Sequence, residues 1–344
     1  MDARHRTVFL TGATGVVGNA LLPRLGPGPV VCLARQPARV GRWSWAEPVQ
    51  GDVTLPDLGL GARYDEIASR VDAVIHCAAL TGFKAEAAEA RRTNVDGVAN
   101  VVAFAERAEV PMIHVGTAFV RQNALHDDTA LLHYARSKEE GEGAVRSSQL
   151  DYAILRPSIV IGSVDDGRIS DFQGFYHAAR AIIAGLAPVL PFEGDWLVDI
   201  VSQDVLVEAI LTVLRKELWG AELWITSGDD APTAKAAVDE IRTLALRLGH
   251  AAIPDPRYVG PDTFHRLIAP AFLPLLPPDM GFVAETMFRY FSPYLTGTQP
   301  FPSDTRELAP DFERQVGLDP LAALSVSLDY WAAATNPEPP RLQP

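Results

Sequence analysis

The sequence predicts an α/β protein with a doubly wound parallel sheet and helices on both faces. Three observations predict it. Six or seven short apolar strands alternate with helical runs, an order that builds parallel sheets through crossover helices. A glycine-rich turn joins the first strand to the first helix. The chain has 344 residues, 48% of them apolar, enough to bury a large core and too apolar for general disorder.

The first strand is Val8-Phe9-Leu10. The run Thr11-Gly12-Ala13-Thr14-Gly15-Val16-Val17-Gly18 then opens an apolar helix with Ala20, Leu21 and Leu22. A pyrophosphate sits at a helix N-terminus, where free N–H groups and the positive dipole end meet it. Gly12 permits the tight turn, Gly15 lets the backbone approach the phosphates, and Gly18 lets the helix pack close to the sheet. Gly12, Thr14, Gly15, Val16, Val17 and Gly18 are therefore candidate dinucleotide positions. Val30-Val31-Cys32-Leu33-Ala34 reads as the second strand and ends at Arg35 with no acid nearby. An acid there would hold the ribose 2′-hydroxyl, whereas arginine pairs with a 2′-phosphate. The expected cofactor is NADP(H), against the plainer reading of Arg35 as a solvated surface residue.

Further landmarks follow. Asp52 and Val53, in Gly51-Asp52-Val53-Thr54, can lie against the adenine. The strand at Asp72-Ala73-Val74-Ile75-His76-Cys77 ends in Ala78 and Ala79, small residues that leave room for a ligand in the crevice. Asn94 lies in the next helical segment, and Met112-Ile113-His114-Val115-Gly116-Thr117 is a strand with a hydroxyl at its tip. Tyr134-Ala135-Arg136-Ser137-Lys138 sets a phenol and an ammonium on one helix face. Reducing a carbonyl builds negative charge on oxygen. A phenol can protonate it, and a nearby ammonium lowers the phenol's pKa of about 10. Thr117 would donate to the same oxygen. Asn94 either anchors a water relay or caps local backbone.

In this ordered set the chain resembles a short-chain dehydrogenase/reductase of the extended type, over roughly residues 6 to 227. The resemblance implies a Rossmann-type sheet with a smaller, mainly helical C-terminal substrate region. It also implies a catalytic set of Tyr134, Lys138, Thr117 and Asn94, with Lys138 also holding the nicotinamide ribose. Leu155-Arg156-Pro157-Ser158-Ile159-Val160-Ile161-Gly162 resembles the family's Arg-Pro strand, which brings Pro157 and Ile159 to the cofactor. The segment Gly51-Asp52-Val53-Thr54-Leu55-Pro56-Asp57-Leu58-Gly59-Leu60, then Tyr64, then His76-Cys77-Ala78-Ala79, is similar to the fatty acyl-CoA reductase and carrier-protein thioester reductase group. That group reduces an acyl thioester with NADPH to an aldehyde, and often to an alcohol. The alternatives are another extended-family reaction (a ketone or aldehyde reductase, or a sugar-nucleotide epimerase or dehydratase) and a non-catalytic dinucleotide sensor. A homodimer through helices flanking the site is a family-level expectation.

Residues 1–162 are expected to form the dinucleotide-binding domain, with 199–227 returning to it. Residues 163–198 and 228–344 are expected to form the substrate-binding region, with a helix over 175–186. Within it, residues 267–278 are apolar but hold four prolines, too broken to span a membrane. They read either as helix packing or as a mobile wall over an acyl pocket that can touch a membrane surface. Met280, Phe282, Met287, Phe288, Tyr290 and Phe291 extend that character, and the proline-rich tail is expected to be loose.

Charge is uneven. Residues 1–160 hold 17 basic and 18 acidic side chains, and residues 161–344 hold 13 and 25. The acidic half argues against nucleic acid as a partner and gives no general attraction to CoA or an acidic carrier. The partner expected is a small-molecule or carrier-bound acyl substrate. Cys32 and Cys77 read as buried strand residues. The N-terminus runs straight into the first strand, so a cytoplasmic chain without a signal peptide is expected. His76 and His114 read as hydrogen-bonded core residues, and no grouping has metal-ligand spacing.

Overall fold

In strand β1 (Val8–Thr11) every residue is buried, with Phe9 on one face and Leu10 on the other. The other strands are β2 (Val30–Ala34), β3 (Ala46–Gln50), β4 (Ala73–His76), β5 (Met112–Val115), β6 (Tyr152–Pro157), β7 (Ile159–Ile161), β8 (Val189–Leu190), β9 (Ile200–Ser202), β10 (Glu222–Ile225) and β11 (Arg257–Tyr258). The computed structural model describes residues 6–41, 43–81, 86–124, 130–272, 274, 295–308 and 319–337. Seven strands form one parallel sheet in the order β3-β2-β1-β4-β5-β6-β10. Strand order reverses beside β1, so a crevice opens past the carboxyl ends of β1 and β4.

The main helices are α1 (Val16–Leu25), α2 (Tyr64–Ala68), α3 (Ala87–Arg91), α4 (Gly97–Ala108), α5 (Ala130–Arg146), α6 (Phe175–Ile183), α7 (Gln203–Lys216) and α8 (Ala234–Arg247). A two-residue side-chain period divides the strands between two cores. Leu10, Cys32, Ile75 and Ile113 pack with Leu21 of α1 and Ile210 of α7. Phe9, Val31, Val74 and Met112 pack with Ile67 of α2 and Phe104 of α4, where the Phe9 and Phe104 rings stack at 4.2 Å. A third core joins Phe175 and Ile182 of α6, Ile241 of α8, and Leu328 and Trp331 of the helix Pro320–Thr335.

The fold class is the expected one, with local departures. β10 joins the main sheet beside β6, but β9 pairs with β7 in a separate two-stranded ladder. Pro157 explains the break: it has no N–H to donate and ends β6. Beyond it Ser158 N donates to Ile225 O and Ile159 N to Asp199 O, so the chain changes partners. Helix α6 stops at Ile183 rather than 186, because Gly185 takes a left-handed φ of +67° and caps back to Ile182 O. Residues 273 and 275–278 of the apolar run, with Met280, Phe282, Met287, Phe288, Tyr290, Phe291 and the tail beyond 337, lie outside the described residues; the run's first part, through Phe272, is helical. Within the run, Leu267 is 66% exposed. Among the described residues no helix is long and apolar enough to cross a membrane.

Candidate active site

The turn after β1 is tight because Gly12 adopts φ +75° and its carbonyl accepts from Gly15 N at 3.0 Å. A Cβ at Gly12 would overlap the Cys77–Ala78 backbone, and one at Gly18 would overlap the Gly12 carbonyl. The β1 turn, the start of α1 and the end of β4 are thus in direct backbone contact. Gly15, at the N-cap of α1, is exposed.

A cleft of about 930 Å³, including its part open to solvent, lies at the carboxyl ends of these strands. Among the expected site residues, Val16, Val17, Ala79, Thr117, Tyr134, Lys138, Pro157 and Ile159 line it. The remaining expected residues are not among those that line it. Asp52 Oδ1 accepts from Thr54 N and Thr54 Oγ1, both at 2.9 Å. Val53 is buried beneath Gly97, and its carbonyl accepts from Asn100 Nδ2 at 2.8 Å. Arg35 is exposed at the end of β2. Ala78 touches Gly12, as above, and Thr14 lies half-buried in the turn.

Asn94 does not line the cleft. It sits in a π-helical turn, Arg92–Asp96, and is 1% exposed. Its Oδ1 accepts from Leu80 N at 2.8 Å; its Nδ2 donates to Leu80 O and Ser137 Oγ, both at 3.0 Å. Ser137 in turn donates to Tyr134 O at 2.7 Å. Asn94 therefore reaches α5 through Ser137, a residue inside the Tyr134-to-Lys138 motif that nothing in the sequence singled out.

Lys138 is 2% exposed and its Nζ donates to Val115 O at 2.8 Å. Burial pushes its ammonium down to about 8, opposed by Glu142. Burial pushes the Tyr134 phenol up to about 12, while a hydrogen bond with Thr117 favours the ionised form. The expected acidification of the phenol by Lys138 is not what the geometry delivers: the ammonium is engaged by a backbone carbonyl, and Thr117 is the phenol's partner. A phenol so held stays protonated at neutral pH, the form a proton donor needs.

Two further expectations are corrected. His76 is hydrogen-bonded, its Nδ1 lying 2.6 Å from Thr11 Oγ1, but neither ring nitrogen of buried His114 has a hydrogen-bond partner among the described residues. The two imidazoles stack at 5.4 Å because β4 and β5 pair them directly. Cys77 lies one residue beyond β4 and lines the cleft; burial pushes its thiol up to about 12.

The sequence reading also missed part of the cleft wall. Ser158, Phe119, Ile169, Phe175 and Tyr176 line it, and Thr81, Gln173 and Asp171 form its polar lip. Thr81 Oγ1 donates to Gln173 Oε1 at 2.9 Å and Gln173 Nε2 to Asp171 Oδ2 at 2.7 Å. The helical period of α6 gave a signal for Phe175 and Tyr176; the lip residues lie in loops and gave none.

A parallel sheet with this turn at its switch point, and Tyr134 and Lys138 in the adjoining cleft, is the architecture of the extended short-chain dehydrogenase/reductase type. The NAD-binding family model described as Male sterility protein matches residues 33–210, just over half of the chain, and the chain belongs to that family. It is 32% identical over 194 residues to the ceramide reductase of Caulobacter vibrioides, covering 55% of this chain and 54% of that one. It spans 6% of a hybrid PKS-NRPS synthetase from Talaromyces variabilis. The chain thus spans about half, or much less, of the curated relatives it matches. The solved terminal R domain of the myxalamid PKS-NRPS pathway superposes with a TM-score of 0.71 at 22% identity, over 97% of this chain and 93% of that one. The reductase (R) domain of a nonribosomal peptide synthetase from Mycobacterium tuberculosis gives 0.68 at 20% identity, over 96% and 93%. At these identities the likeness is one of fold.

Proposed function

We propose that this chain is an NADPH-dependent reductase of acyl thioesters, CoA- or carrier-bound, yielding the aldehyde and, by a second round, the alcohol. The observation that carries the reading is the cleft itself: Tyr134, Thr117 and Lys138 share it with Val16 and Val17 from the glycine turn and with apolar walls that suit an acyl chain. A thiolation-reductase di-domain from an archaeal non-ribosomal peptide synthetase, similar in fold, supports the carrier-bound form of the substrate.

The residues present fit the cofactor. The glycine turn is a cradle that a Cβ would fill, the start of α1 offers free N–H groups, and exposed Arg35 suits a 2′-phosphate. Asp52 and Val53 would take the adenine, and Pro157, Ile159 and Lys138 the nicotinamide end. When bound, NADPH supplies the hydride. Tyr134 would then give its phenolic proton to the carbonyl oxygen as negative charge grows there, and Thr117 would donate a hydrogen bond to the same oxygen. With a thioester the resulting hemithioacetal breaks its C–S bond, the hydroxyl proton passes to the departing sulfur, and the CoA or carrier thiol leaves the aldehyde behind. Lys138 supplies positive charge behind them.

The second reading is reduction of a ketone or aldehyde in the same cleft. The ceramide reductase favours it, as a relative whose name involves no carrier. The test is loss of reduced-nicotinamide absorbance at about 340 nm with NADPH and a panel of acyl-CoAs, carrier-bound acyl thioesters, aldehydes and ketones. Thioester-dependent oxidation supports the first reading. Oxidation with ketones alone moves the assignment to the second, and none with any substrate refutes both.

A further inference from the structure

Behind the cleft lies a buried charge cluster that the proposed chemistry does not use. Glu142 is 0% exposed and follows Lys138 by four residues on α5, so both lie on the helix face that carries Tyr134. Its carboxylate accepts from Arg156 Nε at 3.1 Å, Arg156 Nη2 at 2.8 Å and Arg146 Nη2 at 2.8 Å. Arg156 also pairs with Glu222 and lies 5.0 Å over the Trp224 ring, and Arg146 also pairs with Glu222. The Glu142 carboxylate leaves no room for a side chain at Gly116. It therefore lies against the strand end whose neighbours hold the other groups: the Val115 carbonyl accepts from Lys138, and Thr117 hydrogen-bonds Tyr134.

A buried carboxylate between two arginines is poor value for stability, because desolvation offsets the attraction and apolar packing would serve as well. Its placement has a use for Lys138, whose ammonium is buried with no carboxylate in contact among the described residues. Resting on the reading of Tyr134 and Lys138 given above, we propose that Glu142 is a positioning residue that keeps Lys138 charged and seated on the Val115 carbonyl near neutral pH.

The surroundings allow a clean reading of this charge. Facing Lys138 are Tyr134 and Glu142 from its own helix, His76 and Cys77 from the end of β4, and His114 from β5; Arg156 and Arg146 stand beyond Glu142. Burial pushes His76 down to about 3 and His114 well below its usual value, and it pushes Cys77 and Tyr134 up to about 12. Lys138, at about 8, is the group of this set that titrates in between.

The chain has four lysines, Lys84, Lys138, Lys216 and Lys235, so NMR of side-chain-labelled lysine follows each through a pH titration, with Lys138→Arg giving the assignment. In Glu142→Gln the Lys138 midpoint is expected to fall by about one to two pH units and the other three to stay, with the alkaline limb of NADPH turnover moving by the same amount. Glu142→Asp should restore the midpoint. Glu222→Gln removes the other carboxylate from the same arginines and should leave it unchanged. An unmoved Lys138 midpoint in Glu142→Gln overturns the proposal, as does an equal shift in Glu222→Gln. Should Glu142→Gln fail to fold, the Glu142→Gln/Arg156→Gln pair is compared with Arg156→Gln, which has lost the same guanidinium; the pair should have the lower Lys138 midpoint, and equal midpoints overturn the proposal. Retained turnover in Tyr134→Phe would instead sink the reading of the site and leave the Lys138 titration standing.

Discussion

Arg35→Ala separates the two nicotinamide cofactors. Arg35 is exposed at the end of β2 and has no hydrogen bond or ion pair with another described residue. Its removal should change stability by less than about 0.5 kcal/mol, as at other unencumbered surface sites. Against a 2′-phosphate the guanidinium would make charge-assisted hydrogen bonds, together worth about 1.5 to 3 kcal/mol. That range corresponds to a rise of about 10- to 150-fold in the NADPH dissociation constant. Because the site is open to solvent, the effect should shrink as salt is added. The NADH dissociation constant should stay within about twofold, since that cofactor has no phosphate for Arg35 to meet. Calorimetric or fluorescence titration with each cofactor gives both numbers. Tighter NADH than NADPH binding in the unaltered protein, or parallel weakening of both in the variant, refutes the reasoning.

Two further outcomes follow from the packing. Gly18→Ala drives a methyl into the Gly12 carbonyl and Ala13; it should cost about 1 to 3 kcal/mol in urea unfolding and weaken both cofactors together, unlike Arg35→Ala. The buried imidazoles should make the fold acid-sensitive. With His76 pushed down from 6.5 to about 3, the unfolded chain binds the proton that the folded chain refuses. The stability this gives is fully present above about pH 6.5 and is lost as pH falls toward 3. By pH 5 it amounts to about 2 kcal/mol, and His114 acts in the same direction. Urea unfolding at pH 7 and pH 5 should show the loss, and it should be smaller in His114→Leu; an identical pH dependence in that variant would contradict the account.

Much of this site was legible because its parts are local. The glycine turn and the Tyr134-to-Lys138 spacing are set by one turn and one helix, and both stand where the sequence put them. Contacts between distant elements were not legible. Glu142 stood in plain sight four residues past Lys138, but its partner Arg156 lies on β6 and Glu222 on β10, and only the pairing of those strands brings them together. The engagement of Lys138 by Val115, which displaced the expected effect on Tyr134, likewise depends on how α5 docks on β5. The break after β6 could have been read from Pro157, whose missing donor ends a ladder; the choice of β9 as the new partner for β7 could not.

The proton-donor role of Tyr134 carries the whole account, and Tyr134→Phe tests it with one atom removed. Single-turnover NADPH oxidation on the best substrate of the panel should slow by about 10² to 10⁴, while the NADPH dissociation constant measured on the same preparation stays within about twofold. Oxidation at the original rate, with the cofactor still bound, would show that another group delivers the proton.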